Sequence, residues 1–201
     1  MIKKSLDNLP SSLAMAFQAV VLVTLITFGT SAYASILFGP AVTYQSVKSI
    51  DNTGSAGGNQ NTNALGADAK LGLLIEGTIF YVGGLYSYES TAGDPNMKVV
   101  GSSYGPTVGI FNGAFALLGT YIINADRTYS VSSVDTKISK GTGFRVDMSY
   151  VAWLTGSVGV GPQVTYRSIK YAKTTSAAGI ESLNTYEEST IYPSVVFWFR
   201  F

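Results

Sequence analysis

The chain has 201 residues, 13 Lys and Arg against 12 Asp and Glu, and neither His nor Cys. Charged residues make up 12% of it, about half the roughly 25% usual in soluble domains, while it holds 22 Gly, 13 Tyr and 10 Phe. The near-zero net charge offers no electrostatic footprint for nucleic acid. The missing Cys excludes disulfides and thiolate metal sites, and the missing His excludes His-based triads, His general bases and His metal ligands.

The first 34 residues read as an export signal. Lys3 and Lys4 form a positive start, residues 13–28 an apolar run, and Ala32-Tyr33-Ala34 an A-x-A cleavage site. Cleavage is expected after Ala34, so the mature chain would run from Ser35 through residue 201. An uncleaved anchor is the alternative, which the small-residue site and the short apolar core disfavour. No later apolar run approaches the ~20 residues of a spanning helix.

From Ser35 onward the hydrophobic period is two, the signature of strands. Eight segments follow one another, at about 36–48, 68–76, 78–89, 98–111, 114–125, 142–154, 157–171 and 188–201. In the first, Phe38, Pro40, Val42 and Tyr44 share one face, and Gly39, Ala41, Thr43 and Gln45 the other. In the last, Ile191, Pro193, Val195, Phe197, Phe199 and Phe201 oppose Tyr192, Ser194, Val196, Trp198 and Arg200. Tight turns are expected at Glu76-Gly77, at Asn112-Gly113 (a strong hairpin signal) and over Leu154–Gly156. Leu74 would then pair with Ile79, Phe111 with Ala114, and Trp153 with Ser157. Long polar loops are expected at 49–67, 90–97, 126–141 and 172–187. One motif occurs twice: GPAVTYQSVK at 39–48 and GPQVTYRSIK at 161–170. Both copies have the same strand parity and direction, with Gln45 answering Arg167.

The less apolar face is rich in small residues, as in Gly101, Ser103, Gly105, Thr107 and Gly109. Such residues suit the cramped interior of a narrow barrel, and the Phe/Tyr/Leu/Val face then meets lipid. In hydrocarbon every backbone N–H and C=O must be paired, so the sheet must close. The expected fold is all-β: an eight-stranded antiparallel up-and-down transmembrane β-barrel over 35–201, preceded by a cleavable signal peptide. Pro40, Pro106, Pro162 and Pro193 sit uneasily in such strands and call for bulges or strand ends.

The chain resembles the small eight-stranded outer-membrane β-barrels of the OmpA/OmpX-like superfamily. The resemblance rests on the signal segment, the alternation of short turns and long loops, and the ending Val195-Val196-Phe197-Trp198-Phe199-Arg200-Phe201. It implies residence in the bacterial outer membrane among its lipid and lipopolysaccharide, with short turns in the periplasm and long loops outside. It also implies that Phe197, Phe199 and Phe201 serve as a signal to the barrel-assembly machinery.

On the inward face lie Lys70, Glu76, Glu89, Arg145, Asp147, Arg167 and Arg200. Charges in a narrow lumen must be paired or wet, so these read as a network that plugs the barrel, with a constriction for a small solute as the alternative. The three-residue turn would set Asp147 opposite Gln163 and Arg145 opposite Thr165. Trp153 and Trp198 point inward near the periplasmic mouth and read as packing. Glu181, Glu187 and Glu188 read as a solvated loop end rather than a cation site. Barrel enzymes of known type depend on His, so no catalytic residue, metal or cofactor is expected. The functional expectation is a non-enzymatic structural or surface-exposed outer-membrane barrel. A small channel or conduit for an apolar solute is the second reading, and a soluble lipocalin-like binder the third. Any ligand of the loops is unknown.

Overall fold

The structure is a computed structural model that describes residues 34–49, 60–75, 77–91, 97–131, 134–176, 178–183 and 186–201. The expected signal segment up to Tyr33, including Ala32, and also Glu76, lie outside the described residues. Eight long strands form the wall: β1 Ala34–Ser49, β2 Gln60–Ile75, β3 Phe80–Thr91, β4 Met97–Phe111, β5 Phe115–Val131, β6 Val134–Tyr150, β7 Val158–Tyr171 and β8 Tyr186–Arg200. Each pairs antiparallel with the next, Ala152–Trp153 continues β6 alongside β7, and β8 returns to β1. The sheet therefore closes on itself. Ala34 and Ser35 already belong to β1, opposite Ile75 and Leu74.

Side chains alternate as the period-two pattern requires. Ala41, Thr43 and Gln45 are buried while Val42 and Tyr44 are more than half exposed. Tyr192, Ser194, Val196 and Trp198 are buried while Ile191, Val195 and Phe197 are exposed. With no water-facing polar side to spare, the outer surface is a belt of Val, Leu, Tyr and Phe far larger than a soluble monomer tolerates.

The turns differ from expectation in one consistent way. Leu74 pairs with Tyr81, Phe111 with Ala116, and Trp153 with Gly159. Every register is two residues later than the simplest turn allows. The cause is local side-chain capping. Asn112 Oδ1 accepts from the N–H groups of Ala114 and Phe115, so Gly113 and Ala114 become the central pair, with Gly113 at φ 87°. Thr78 Oγ1 accepts from Phe80 N, and Thr155 Oγ1 from Ser157 N and Val158 N. Turn-forming side chains of this kind compete with the ladder for backbone groups. A slip of two leaves every side chain on its own face, whereas a slip of one reverses them all.

The strands are also longer than expected. Residues 60–67 extend β2 along β1, and the expected loop at 126–141 is a continuation of the β5–β6 hairpin through bulges near Ile122, Ala125 and Arg127. Two short strands, Lys173–Thr175 and Glu181–Ser182, widen that hairpin beyond the barrel.

The prolines are accommodated by breaks in the ladder. Pro106 falls where the β4–β5 register is interrupted between Tyr104 and Thr107. Pro162 falls between the Ser149–Gln163 and Ala152–Val160 pairs. Pro40 lies in the gap between the Phe38–Phe199 and Ala41–Val196 pairs, and Pro193 lies just past the last β1–β8 pair, Thr43–Ser194. Proline lacks the N–H a ladder needs, and each directs that lack toward one neighbour while staying paired with the other: Pro40 with Ala69, Pro106 with Gly84, Pro162 with Val195 and Pro193 with Val164.

Gly39 shows how tightly the lumen is filled. A Cβ there would lie 2.6 Å from Cζ3 of Trp198. Gly39→Val is expected to lower barrel stability by about 1–3 kcal/mol through overpacking. The urea midpoint of the barrel in micelles checks this, and an unchanged midpoint would show that the Trp198 ring has room to move.

Candidate functional site: the lumen

The lumen is filled in layers. At the turn end, Leu37, Ala41, Leu74, Tyr81, Phe111, Ala116, Leu118, Val151, Val196 and Trp198 form an apolar cluster, with Trp153 packed against it. Its aromatic rings meet edge to face: Phe111–Trp198 at 5.1 Å, Tyr81–Trp198 at 6.0 Å and Phe111–Trp153 at 6.2 Å between centroids. Trp153 Nε1 donates to the Gly113 carbonyl, which ties the plug to the β4–β5 turn.

Beyond this plug lies a quartet of two acids and two bases: Asp68, Lys70, Arg145 and Asp147. Arg145 Nη2 reaches Asp68 Oδ2 at 2.5 Å, and Arg145 Nε donates to Asp147 Oδ1 at 2.9 Å. Lys70 Nζ sits 3.4 Å from Asp147 Oδ2 and donates to Gln163 Oε1 at 2.9 Å. Neutral groups saturate the remaining lone pairs: Ser87 donates to Asp68 at 2.6 Å and Thr165 to Asp147 at 2.5 Å. All four charged residues are at most 4% exposed.

A second quartet lies toward the loop end: Glu89, Arg127, Arg167 and Glu188. Glu89 takes Arg127 Nε at 2.6 Å on one oxygen and Arg167 Nη2 at 3.0 Å on the other. Arg127 also pairs with Glu188, and Arg167 lies 3.5 Å from the same carboxylate. Arg145 and Arg167 are directly opposite in register, a like-charge pairing that is unfavourable by itself. Each guanidinium turns instead to its own quartet, and the ring of Tyr192 lies within 5.9 Å of both. Above the second quartet, Ile122, Ala125, Ile138, Ile169 and Tyr171, with Tyr129 against them, close the loop end. The space bounded by Glu89, Gly101, Arg167 and Tyr171 is too tight for a water molecule.

Of the sequence-selected residues, Lys70, Glu89, Arg145, Asp147 and Arg167 stand inside the lumen, in two quartets rather than one. The expected neighbours are corrected by the two-residue slip: Asp147 faces Thr165, Arg145 faces Arg167, and Gln163 faces Ser149. Arg200 stands apart, its guanidinium 5.1 Å from the Trp153 ring, with no ion pair to a described acid. Glu188 is no solvated loop end but a partner of two arginines, whereas Glu181 pairs with Lys173. Among the described residues no acidic group is arranged to hold a metal. Sequence reasoning missed Asp68, two positions before Lys70 on the same face, and Arg127, which lay in a stretch read as loop. Phe197 and Phe199 lie on the outer face of β8, and Phe201 is exposed at its end.

The twice-occurring motif has a structural consequence. Gln45 Nε2 donates to Glu89 Oε2 at 2.6 Å, and Arg167, at the same place in the second copy, reaches the same oxygen at 3.0 Å. One carboxylate is thus gripped from two walls of the barrel.

A closed eight-strand ladder, an apolar outer belt and a lumen occupied by buried apolar clusters and ion pairs define the fold of a transmembrane β-barrel of the outer-membrane type. No family model and no curated protein sequence matches the chain. Among solved structures it is similar in fold to Neisserial surface protein A, with a TM-score of 0.53 and 12% identity over 82% of this chain and 97% of that one. Looser overlaps occur with the β domain of the Bordetella autotransporter BrkA, at TM-score 0.41, 13% identity and 85% of this chain against 99% of that one. The translocator domain of NalP from Neisseria meningitidis overlaps at TM-score 0.39, 13% identity and 92% against 69%. These last two add nothing to the fold assignment.

Removing one partner of a buried, hydrogen-bonded ion set typically costs about 3–5 kcal/mol. Asp147→Ala, which strands Lys70 and Arg145 around a single acid, should lower unfolding stability by about that much. The double change Asp147→Leu with Lys70→Met should recover most of it. Urea titrations of the three variants check the cycle, and a fully stable single variant would show that the quartet is not interlocked.

Proposed function

We propose that this protein is a non-enzymatic integral barrel of the bacterial outer membrane whose lumen is sealed by its own side chains. In this reading the wall serves as an anchor, and the extended β5–β6 hairpin with its two added strands is presented beyond the membrane. The observation that carries it is the filling of the lumen: among the described residues an aromatic plug, two charge-balanced quartets and an apolar cap occupy successive layers of it. Residues 1–34 act as the export signal, cleaved before Ser35, and Phe197, Phe199 and Phe201 mark the last strand for the assembly machinery. The sequence contains no His, the residue on which barrel enzymes of known type depend. The conduit reading has no comparable support, because both quartets use the lumen width for ion pairs.

In cell fractionation the folded protein should follow the outer membrane and change gel mobility on boiling. In planar bilayers it should give no stepwise conductance. Stable steps that change in Arg145→Ala or Asp147→Ala would overturn the sealed-lumen reading and favour a small channel.

A further inference from the structure

We infer that Lys140 and Lys170 form a docking site on the outer wall for a lipid whose headgroup carries a phosphate monoester, an inference that rests on the outer-membrane reading above. A bulge in β6 brings the two lysines together. Ile138 and Gly141 are three residues apart, yet both face the lumen: Ile138 is 6% exposed, and a Cβ on Gly141 would meet Ala125 and Tyr171. Across the ladder Ala125 pairs with Gly141 and Arg127 with Ile138, so β6 carries one residue more than β5 here. Lys140 lies in that step with φ 56°, and it is the only non-glycine with positive φ among the described residues. Glycine is the usual occupant of a left-handed bulge position, and backbone strain of this kind collects at functional sites. The bulge turns Lys140 to the outer surface, where it is exposed in line with Thr142 and Phe144.

Lys170 stands beside it on β7, exposed on the same face. Thr142 pairs with Lys170, which makes Lys140 and Lys170 diagonal neighbours, roughly 7–8 Å apart. Below them Phe144 and Tyr166 meet ring to ring at 5.6 Å on the lipid-facing belt. The lysines lie two to four residues beyond these rings, about 5–10 Å along the membrane normal for tilted strands. The headgroup layer outside the hydrocarbon is itself about 5–8 Å deep, so ammonium groups at this height meet lipid phosphates. Neither lysine forms an ion pair among the described residues, whereas Lys173 is held by Glu181 at 2.5 Å. Glu187 faces Lys170 across the β7–β8 ladder, and Asp126 lies opposite the bulge. The row is therefore neutral as a whole and draws no anion from a distance. It selects by contact an anion that can bridge two ammonium groups. A phosphate monoester, with a charge of about −1.5 to −2 and three acceptor oxygens, bridges them better than a singly charged diester. The repeated motif carries Tyr and Lys in both copies, at 44 and 48 and at 166 and 170. In the first copy Asn61 pairs with Lys48, where the second has Thr142 and the bulge lysine.

The test uses the folded barrel in phosphatidylcholine nanodiscs holding equal amounts of phosphatidic acid and phosphatidylglycerol with identical chains, read by native mass spectrometry of the released protein. One retained phosphatidic acid is expected, in roughly fivefold excess over phosphatidylglycerol, the size that two exposed ion pairs supply. Lys170→Gln should abolish the excess. Lys98→Gln, which removes another exposed lysine from β4, should leave it intact. Lys140→Gly should also abolish the excess while keeping or raising the urea midpoint, because glycine accepts the left-handed backbone. The heat-dependent gel shift should persist in all three variants. Equal retention of the two anionic lipids, or an unchanged excess in Lys170→Gln, would overturn the site. An equal loss in Lys98→Gln would overturn it in favour of diffuse surface charge, and a lowered midpoint in Lys140→Gly in favour of a purely structural lysine. Loss of the gel shift in the unaltered protein would instead remove the membrane reading itself.

Discussion

Everything in this molecule follows from the absence of water around its backbone. A strand in hydrocarbon has nowhere to send its N–H and C=O groups except to another strand. Eight tilted strands can satisfy one another only by closing, and eight enclose an interior that side chains just fill. The lumen is therefore not a free design variable. It must be packed, and any charge placed there must be neutralised at short range. The two quartets are the answer to that second demand. Each has two acids and two bases, Asp147, Glu89 and Glu188 each meet two cations while Asp68 meets Arg145, and small hydroxyl and amide groups from neighbouring strands take up remaining hydrogen-bonding capacity. This is a costly way to fill space, since well-packed apolar residues often do as well or better. Its effect is to tie strands far apart in sequence to one another: Asp68 on β2 to Arg145 on β6, Glu89 on β3 to Arg127 on β5, and Arg127 in turn to Glu188 on β8.

The wall pays for its prolines in ladder continuity. Pro106 and Pro162 each cost a short break that resumes within a few residues. Pro40 and Pro193 both face the β1–β8 seam, where the first and last strands meet. A closed sheet has no edge by topology, but this one has a seam whose pairing is thin where it begins and absent where it ends. The strength of closure is concentrated at the turn end, where Trp198 packs against Gly39 across the seam and the aromatic plug is thickest.

Which side chains face the lumen was legible in the sequence, because period two and the parity of the turns determine it. The register was not, because side-chain caps at Asn112, Thr78 and Thr155 displaced each hairpin by two residues, a change invisible to a face pattern. Strand length was legible only where lipid imposes apolar residues. Beyond the hydrocarbon a ladder continues through polar residues that resemble a loop, so β2 lost its first residues and the β5–β6 hairpin its outer half. Arg127 disappeared from view with them. Asp68 and Glu188 carried a usable signal, for each shares a face with a lumen residue two or four positions away.

The duplicated motif illustrates the difference between a pattern and its use. At the level of the strand, GPAVTYQSVK and GPQVTYRSIK solve one problem twice: a small residue toward a crowded lumen, a proline toward lipid, then alternating Val, Thr and Tyr. At the level of the site they diverge in a single exchange. Arg167 brings the charge that Glu89 and Glu188 require. Gln45 brings a neutral amide to the same Glu89 oxygen and leaves the quartet balanced. A second arginine at position 45 would give three cations to two acids in a buried space. The neutral residue in the first copy is thus set by charge balance across the barrel, not by anything within its own strand.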